Sequence, residues 1–139
     1  MIFDTIKSNI ESGMKGLNKG LPHGLNRLVE YIPGIQQSTY YLIGGETSSG
    51  KSAFTNNCFV YNPIDWYLSN KNNTNIKIKV IYYSFEITKE IMLTKAICRK
   101  IYMDTGLLLD VNYILSRGKN KISQEHYDLV MSYSKYFAE

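Results

Sequence analysis

A glycine-rich turn near the middle of the chain carries the residue types that bind phosphate groups. Its sequence GETSSGKS, residues 45–52, fits the spacing G-x-x-x-x-G-K-[ST]. Glycines at these positions allow the backbone to bend and to approach an anion closely, so that successive N–H groups point inward. Lys51 would place a positive charge on the outer phosphates, and the Ser52 hydroxyl would be a ligand of Mg²⁺. The spacing therefore predicts a binding site for ATP and Mg²⁺.

The nucleotide contacts expected of this segment extend into the following helix, whose positive dipole end favours an anion. The residues concerned are Gly45, Glu46, Thr47, Ser48, Ser49, Gly50, Lys51, Ser52 and Ala53. The alternative is a glycine-rich turn that arose by chance. An apolar run before the segment and a helical pattern after it are the context that a phosphate site requires, and both are present.

One carboxylate, Glu86, follows the apolar run VIYYSF and is the second candidate for chemistry. At the carboxyl end of a strand, it could orient a water molecule and take its proton for attack on the terminal phosphate. The alternative places Glu86 in the first turn of the next helix, where the helix dipole favours an acid. The spacing alone leaves both interpretations open.

The elements that must position these residues alternate between strand-like and helix-like patterns. Two runs rich in β-branched and aromatic residues, 39–43 and 76–85, predict buried strands that end at the glycine-rich turn and at Glu86. Apolar periodicity and breaker residues predict helices over 3–18, over 25–32, from 51 to before Pro63, over 87–103 and over 123–137. This order predicts an α/β fold with parallel strands joined by a right-handed crossover.

Composition sets only broad limits on the function. The 139 residues suit one domain, and the hydrophobic content of 44% is ordinary for a globular protein. The net charge of +4 is compatible with nucleic acid, although solubility alone accounts for it equally well. No apolar run approaches the roughly 20 residues of a membrane helix. Cys58 and Cys98 have no C-x-x-C partner, which is typical of reduced thiols in a cytoplasmic protein.

Several segments in a consistent order resemble the DnaB-type replicative DNA helicases, especially those of phages. The lead-in GLNRLVEYIPGIQQSTYYLIGG, the segment GETSSGKSAF, the segment VIYYSFEITKEIMLTKAICRKI and the segment SRGKNKISQEHYDLV are each similar to a part of that family's ATPase domain. The resemblance covers about residues 25–137. Glu46 departs from it, because the family more often has a small or apolar residue there.

The resemblance implies a RecA-like P-loop NTPase with a parallel sheet and flanking helices. It implies that Glu86 is the catalytic base, that Lys51 acts on the phosphates, and that ATP hydrolysis drives movement on single-stranded DNA. It also implies a homo-hexameric ring, a primase or helicase loader as partner, and a bacterial host cytoplasm if a phage encodes the protein. Residues 1–24 resemble the family's linker helix and linker, and residues 25–139 resemble the N-terminal part of its ATPase domain.

No strand with a terminal Asp that could serve as Walker B occurs before residue 139. We therefore expect a truncated domain, which alone would be a weak ATPase or inactive. Two alternatives stay open beside the helicase: another RecA-like ATPase of the recombinase type, and a truncated module that binds nucleotide or a ring partner without catalysis. A small-molecule kinase is a weaker third, because it would not account for the match near residues 117–130.

Overall fold

The computed structural model describes residues 1–137, which form helices joined by irregular segments. The α-helices of this part of the chain are α1 (Ile2–Met14), α2 (Lys51–Thr55), α3 (Asn62–Asn70), α4 (Lys89–Thr105), α5 (Val111–Ile114) and α6 (Gln124–Ser132). A π-helical stretch, Asn56–Tyr61, joins α2 to α3, and a 3₁₀ turn, Ser134–Phe137, follows α6. The chain forms two compact units. The first unit is Met1–Val80, and the second begins at Ile81.

The predicted α/β fold with a RecA-like parallel sheet is wrong for this structure. Among residues 1–137 the β-type pairing is confined to one isolated antiparallel bridge between Leu21 and Ile35, and neither 39–43 nor 76–85 forms a strand. Parallel strands need a neighbouring ladder and cover on both faces of the sheet. The side chains that suggested buried strands lie largely in solvent here, as with Tyr40 and Leu42 at 85% and 82% exposure. The preference of such residues for strands depends on packing surfaces, which these segments do not have in the structure.

The helix predicted to end before Pro63 continues through it to Asn70. Proline in a regular helix removes one hydrogen bond and clashes with the carbonyl four residues earlier. The π-helical stretch directly before α3 changes this spacing, because its hydrogen bonds join residues five apart. Pro63 then falls in the first turn of α3, where a missing N–H costs nothing within that helix. The result is one helical rod from residue 51 to residue 70.

A buried histidine organises the lead-in to this rod, where the sequence predicted a short helix over 25–32. Instead of a regular helix the segment forms successive turns. His23 is 1% exposed; its Nδ1 accepts a hydrogen bond from the Leu25 N–H (3.2 Å) and its Nε2 donates to the Ile32 carbonyl (2.7 Å). The Asn62 amide of α3 donates to the His23 carbonyl (2.8 Å), which attaches the lead-in to the rod.

The amphipathic N-terminal helix is confirmed, although it is shorter than the predicted 3–18. Helix α1 ends at Met14, and Asp4 lies in its first turn. Asp4 pairs with the N-terminal ammonium at 3.1 Å. The apolar side chains of α1 are all exposed, Ile6 at 46% and Ile10 at 59%. No helix within residues 1–137 is both long and apolar enough to cross a bilayer.

The second unit is built around Ile101, Leu109 and Val130, which are buried. Helix α4 begins after Thr88, as predicted, and ends at Gly106 in the left-handed conformation (φ 75°). Of the apolar residues of α4, Ile101 is fully buried and Ile97 packs against the core. Helix α6 also begins where predicted, because the Ser123 hydroxyl accepts a hydrogen bond from the His126 N–H.

Candidate phosphate-binding site

Residues 45–52, here called the phosphate loop, form a tight turn that enters helix α2. Ser48 and Gly50 both have positive φ, 63° and 86°, and Gly50 is the residue before the first turn of the helix. The Ser49 N–H donates to the Glu46 carbonyl (3.2 Å), which closes the turn. Left-handed residues alternating with right-handed ones turn backbone N–H groups toward one side, as an anion site requires.

The two glycines of the motif are required for different reasons. Gly50 has a left-handed backbone, where a side chain is strained, although no atom stands near a Cβ placed there. Gly45 does not have positive φ. A Cβ on Gly45 would lie 2.8 Å from the Ser49 Oγ and 3.4 Å from the Lys51 Cγ, so Gly45 is needed for space. A larger residue at position 45 would therefore require the Ser49 side chain to move.

The Lys51 side chain folds back over the loop that precedes it. Its Nζ donates to the Gly45 carbonyl (2.7 Å) and to the Glu46 carbonyl. These acceptors are neutral, whereas a phosphate would offer charged oxygens, and hydrogen bonds between ions are shorter and stronger. The ammonium is thus already held at the mouth of the loop.

The remaining loop side chains are exposed. They belong to Glu46, Thr47, Ser48, Ser49 and Ser52, and the side chain of the next residue, Ala53, is exposed as well. Glu46 departs from the family pattern in its side chain, which is exposed. Its backbone carbonyl accepts a hydrogen bond from Lys51 and so helps to orient that side chain. The Ser52 hydroxyl stands in the first turn of α2, where it could be one protein ligand of a cation. This set of donors fits the phosphates of a nucleotide and one position on Mg²⁺.

Glu86 lies in a bend between an irregular segment and helix α4. The Ser84 hydroxyl shapes this bend, because it accepts from the Ile87 N–H (3.2 Å) and donates to the Ile87 carbonyl (2.9 Å). Glu86 is exposed and precedes the cap residue Thr88, so it is not in the first helical turn. That place belongs to Glu90, where hydrogen bonds from its own N–H and from the Thr88 hydroxyl lower the pKa of the carboxyl. The phosphate loop belongs to the first unit and Glu86 to the second.

A comparison with known protein families gives a match that includes both the phosphate loop and Glu86. The sequence profile described as the DnaB-like helicase C-terminal domain matches residues 20–132. The chain belongs to this family. The resemblance to DnaB-type helicases is thereby confirmed. No curated protein and no solved structure matched the chain.

Sequence reasoning missed the residues that hold the phosphate loop of this DnaB-like domain in place. The Tyr41 hydroxyl accepts from the Gln36 N–H (2.9 Å) and donates to the Gly34 carbonyl (3.4 Å), while its ring lies 5.2 Å from that of Phe59. Tyr41 precedes the loop by four residues and so ties it to the lead-in and to the helical rod.

Gly24, in the lead-in, was a sequence signal for a close contact between the lead-in and another part of the chain. Gly24 has φ 78°, and a Cβ there would come within 2.2 Å of the Asn62 Nδ2. Gly16, Gly20, Pro22 and Gly24 suggested a linker. In the structure Gly24 instead marks a close approach between the lead-in and α3.

Proposed function

We propose that this chain supplies the ATP-binding part of a replicative DNA helicase, in which ATP hydrolysis drives unwinding of, or movement along, single-stranded DNA. The observation that carries the proposal is the Lys51 ammonium, held at the mouth of the phosphate loop by two carbonyls. Its occurrence inside a DnaB-like helicase domain supports a helicase rather than a recombinase.

In this proposal the loop and Lys51 bind the phosphates of ATP. The N–H groups of residues 45–52 would face the phosphate oxygens, and Lys51 would exchange its carbonyl partners for them. The Ser52 hydroxyl would hold Mg²⁺, which when bound neutralises charge on the phosphate oxygens. Glu86 would orient the attacking water and accept its proton at the carboxylate. An arginine from a neighbouring subunit would complete the site.

The proposed assembly is a homo-hexameric ring on single-stranded DNA. Residues 1–24 would act as the linker to a neighbouring subunit and residues 25–139 as part of the ATPase domain. The exposed apolar side chains of α1 support the first assignment, because an amphipathic helix gains stability when that stripe is covered. A primase or helicase loader would be a further partner, and the cytoplasm, of a bacterial host if a phage encodes the protein, would be the location.

The experiment separates binding from hydrolysis. We expect Glu86→Gln to retain MgATP binding and to lose about 10²–10⁴-fold in ATP hydrolysis measured with single-stranded DNA at high protein concentration. Glu90→Gln is the matched control, since it removes the same charge from the first turn of α4. Hydrolysis by Glu86→Gln at the wild-type rate would contradict the role of Glu86. A wild-type protein that binds MgATP without hydrolysing it would favour a non-catalytic binding module.

A further inference from the structure

An open groove lies in the first unit, and one residue of α2 that follows the phosphate loop, Phe54, lines it. Its volume is about 470 Å³, and its walls are mainly apolar. The lining residues are Gly24, Leu25, Asn26, Arg27, Leu28, Tyr31 and Phe54. One wall is thus the turn that His23 stabilises, and the other is a residue of α2 itself.

Phe54 connects this groove to the phosphate loop. It follows Lys51 by three residues and Gly50 by four, and its N–H donates to the Gly50 carbonyl (2.9 Å). Residues at these spacings share one face of a helix. The Phe54 ring lies 6.5 Å from the ring of Phe59, farther along the same helical segment. The groove therefore includes a residue whose backbone lies about one helical turn, roughly 5.4 Å along the helix axis, from Gly50.

The groove offers the chemistry that recognises a flat heterocycle. Tyr31 is 81% exposed and Phe54 36% exposed, so both rings present area that stacking would cover. Arg27 can stack its guanidinium on an aromatic face, and the Asn26 amide can both donate to and accept from the edge of a base. The volume is near the lower end of small-ligand pockets, which run from about 300 to 1,000 Å³. That size suits a base with its ribose.

We propose that this groove is the subsite for the base of the nucleotide, a purine stacked between Tyr31 and Phe54. The inference rests on the proposed function, because it needs the phosphates on residues 45–52. A base joined to those phosphates reaches the groove without a second association step, so even modest stacking adds to affinity. The lead-in then recognises the nucleotide in addition to supporting the loop.

The test compares MgATP with magnesium tripolyphosphate, which has the phosphates and no base, by calorimetric titration of the full chain. We expect wild type to bind MgATP more tightly than tripolyphosphate. Tyr31→Ala should weaken MgATP binding about tenfold, as loss of one stacking contact does, and leave tripolyphosphate binding unchanged. Tyr40→Ala is the matched control, since Tyr40 is 85% exposed and lies outside the groove.

Two results would overturn the inference alone: equal affinity of wild type for both ligands, or MgATP binding by Tyr31→Ala at wild-type strength. In either case tripolyphosphate binding that is lost in Lys51→Ala would leave the phosphate site standing. Failure of wild type to bind either ligand would instead overturn the proposed function, and the base subsite with it.

Discussion

At the scale of single residues, the phosphate loop shows how far a motif can be interpreted without a structure. The spacing of Gly45, Gly50 and Lys51 identified the segment, because few other arrangements present inward N–H groups beside a lysine. The spacing did not distinguish the two glycines, of which one is fixed by its backbone angle and the other by a neighbouring hydroxyl. Nor could it show the buried role of His23, which depends on a carbonyl nine residues away.

The short distance between Gly45 and the Ser49 side chain predicts that a second substitution can restore the affinity lost in the first. Gly45→Ala should weaken MgATP binding by up to about tenfold, because the new Cβ would lie 2.8 Å from the Ser49 Oγ and require the Ser49 side chain to move. Adding Ser49→Ala removes that oxygen, and the next atom, the Lys51 Cγ at 3.4 Å, is tolerable. The double variant should recover much of the affinity in the same titration.

Ser49→Ala alone is the control for any direct contact of the Ser49 hydroxyl with the nucleotide. A double variant that binds as weakly as Gly45→Ala would show that crowding by Ser49 is not the reason for the glycine.

At the scale of elements, helices α1, α4 and α6 were predictable, whereas the helix predicted over 25–32 and the strands predicted over 39–43 and 76–85 do not form. Helices α4 and α6 begin after Thr88 and Ser123, where a residue type common at helix N-termini precedes an apolar periodicity. The Ser123 side chain makes a capping hydrogen bond, and the Thr88 side chain does not. The runs 39–43 and 76–85 are rich in residues that favour strands. A strand also needs hydrogen bonds to a neighbouring strand, and no local sequence pattern provides that neighbour. The continuation through Pro63 was missed because a π-helical turn has no recognised sequence signal here.

The core of the second unit predicts which substitution in α4 is costly. Ile101→Ala should reduce the free energy of unfolding by about 2–5 kcal/mol, because Ile101 is fully buried between Leu109 and Val130. Leu108→Ala is the control, since Leu108 is 81% exposed and should change it by less than about 0.5 kcal/mol. Denaturant titration of both variants gives the comparison. Equal effects of the two would contradict this description of the core.

At the scale of the whole molecule, the sequence matches the family although residues 1–137 of the structure lack the sheet that the family resemblance implied. The DnaB-like profile matches residues 20–132, whereas the sheet expected from the resemblance does not form in the structure. The phosphate loop lies within the matched residues, and local hydrogen bonds and the start of helix α2 maintain its backbone. The sheet depends on contacts between distant segments, which motif matching does not test.

The exposed apolar stripe of α1 gives a prediction about assembly. Ile6→Glu with Ile10→Glu should reduce self-association measured by sedimentation velocity, since the stripe would no longer be an apolar surface to bury against a second copy. Ser8→Glu with Ser12→Glu is the matched control, because it adds the same charge on the opposite side of the helix. If both pairs reduce association equally, net charge rather than the stripe is responsible.

The central claim is that residues 45–52 bind the phosphates of a nucleotide through Lys51. Its most direct test is calorimetric titration of the 139-residue chain with MgATP, comparing wild type, Lys51→Ala and Lys95→Ala. Lys95 is exposed on α4, so its substitution removes an equal charge away from the loop. We expect saturable binding by wild type and Lys95→Ala, and a loss of about 100-fold or more in Lys51→Ala. Binding by Lys51→Ala as strong as that of wild type would contradict the account.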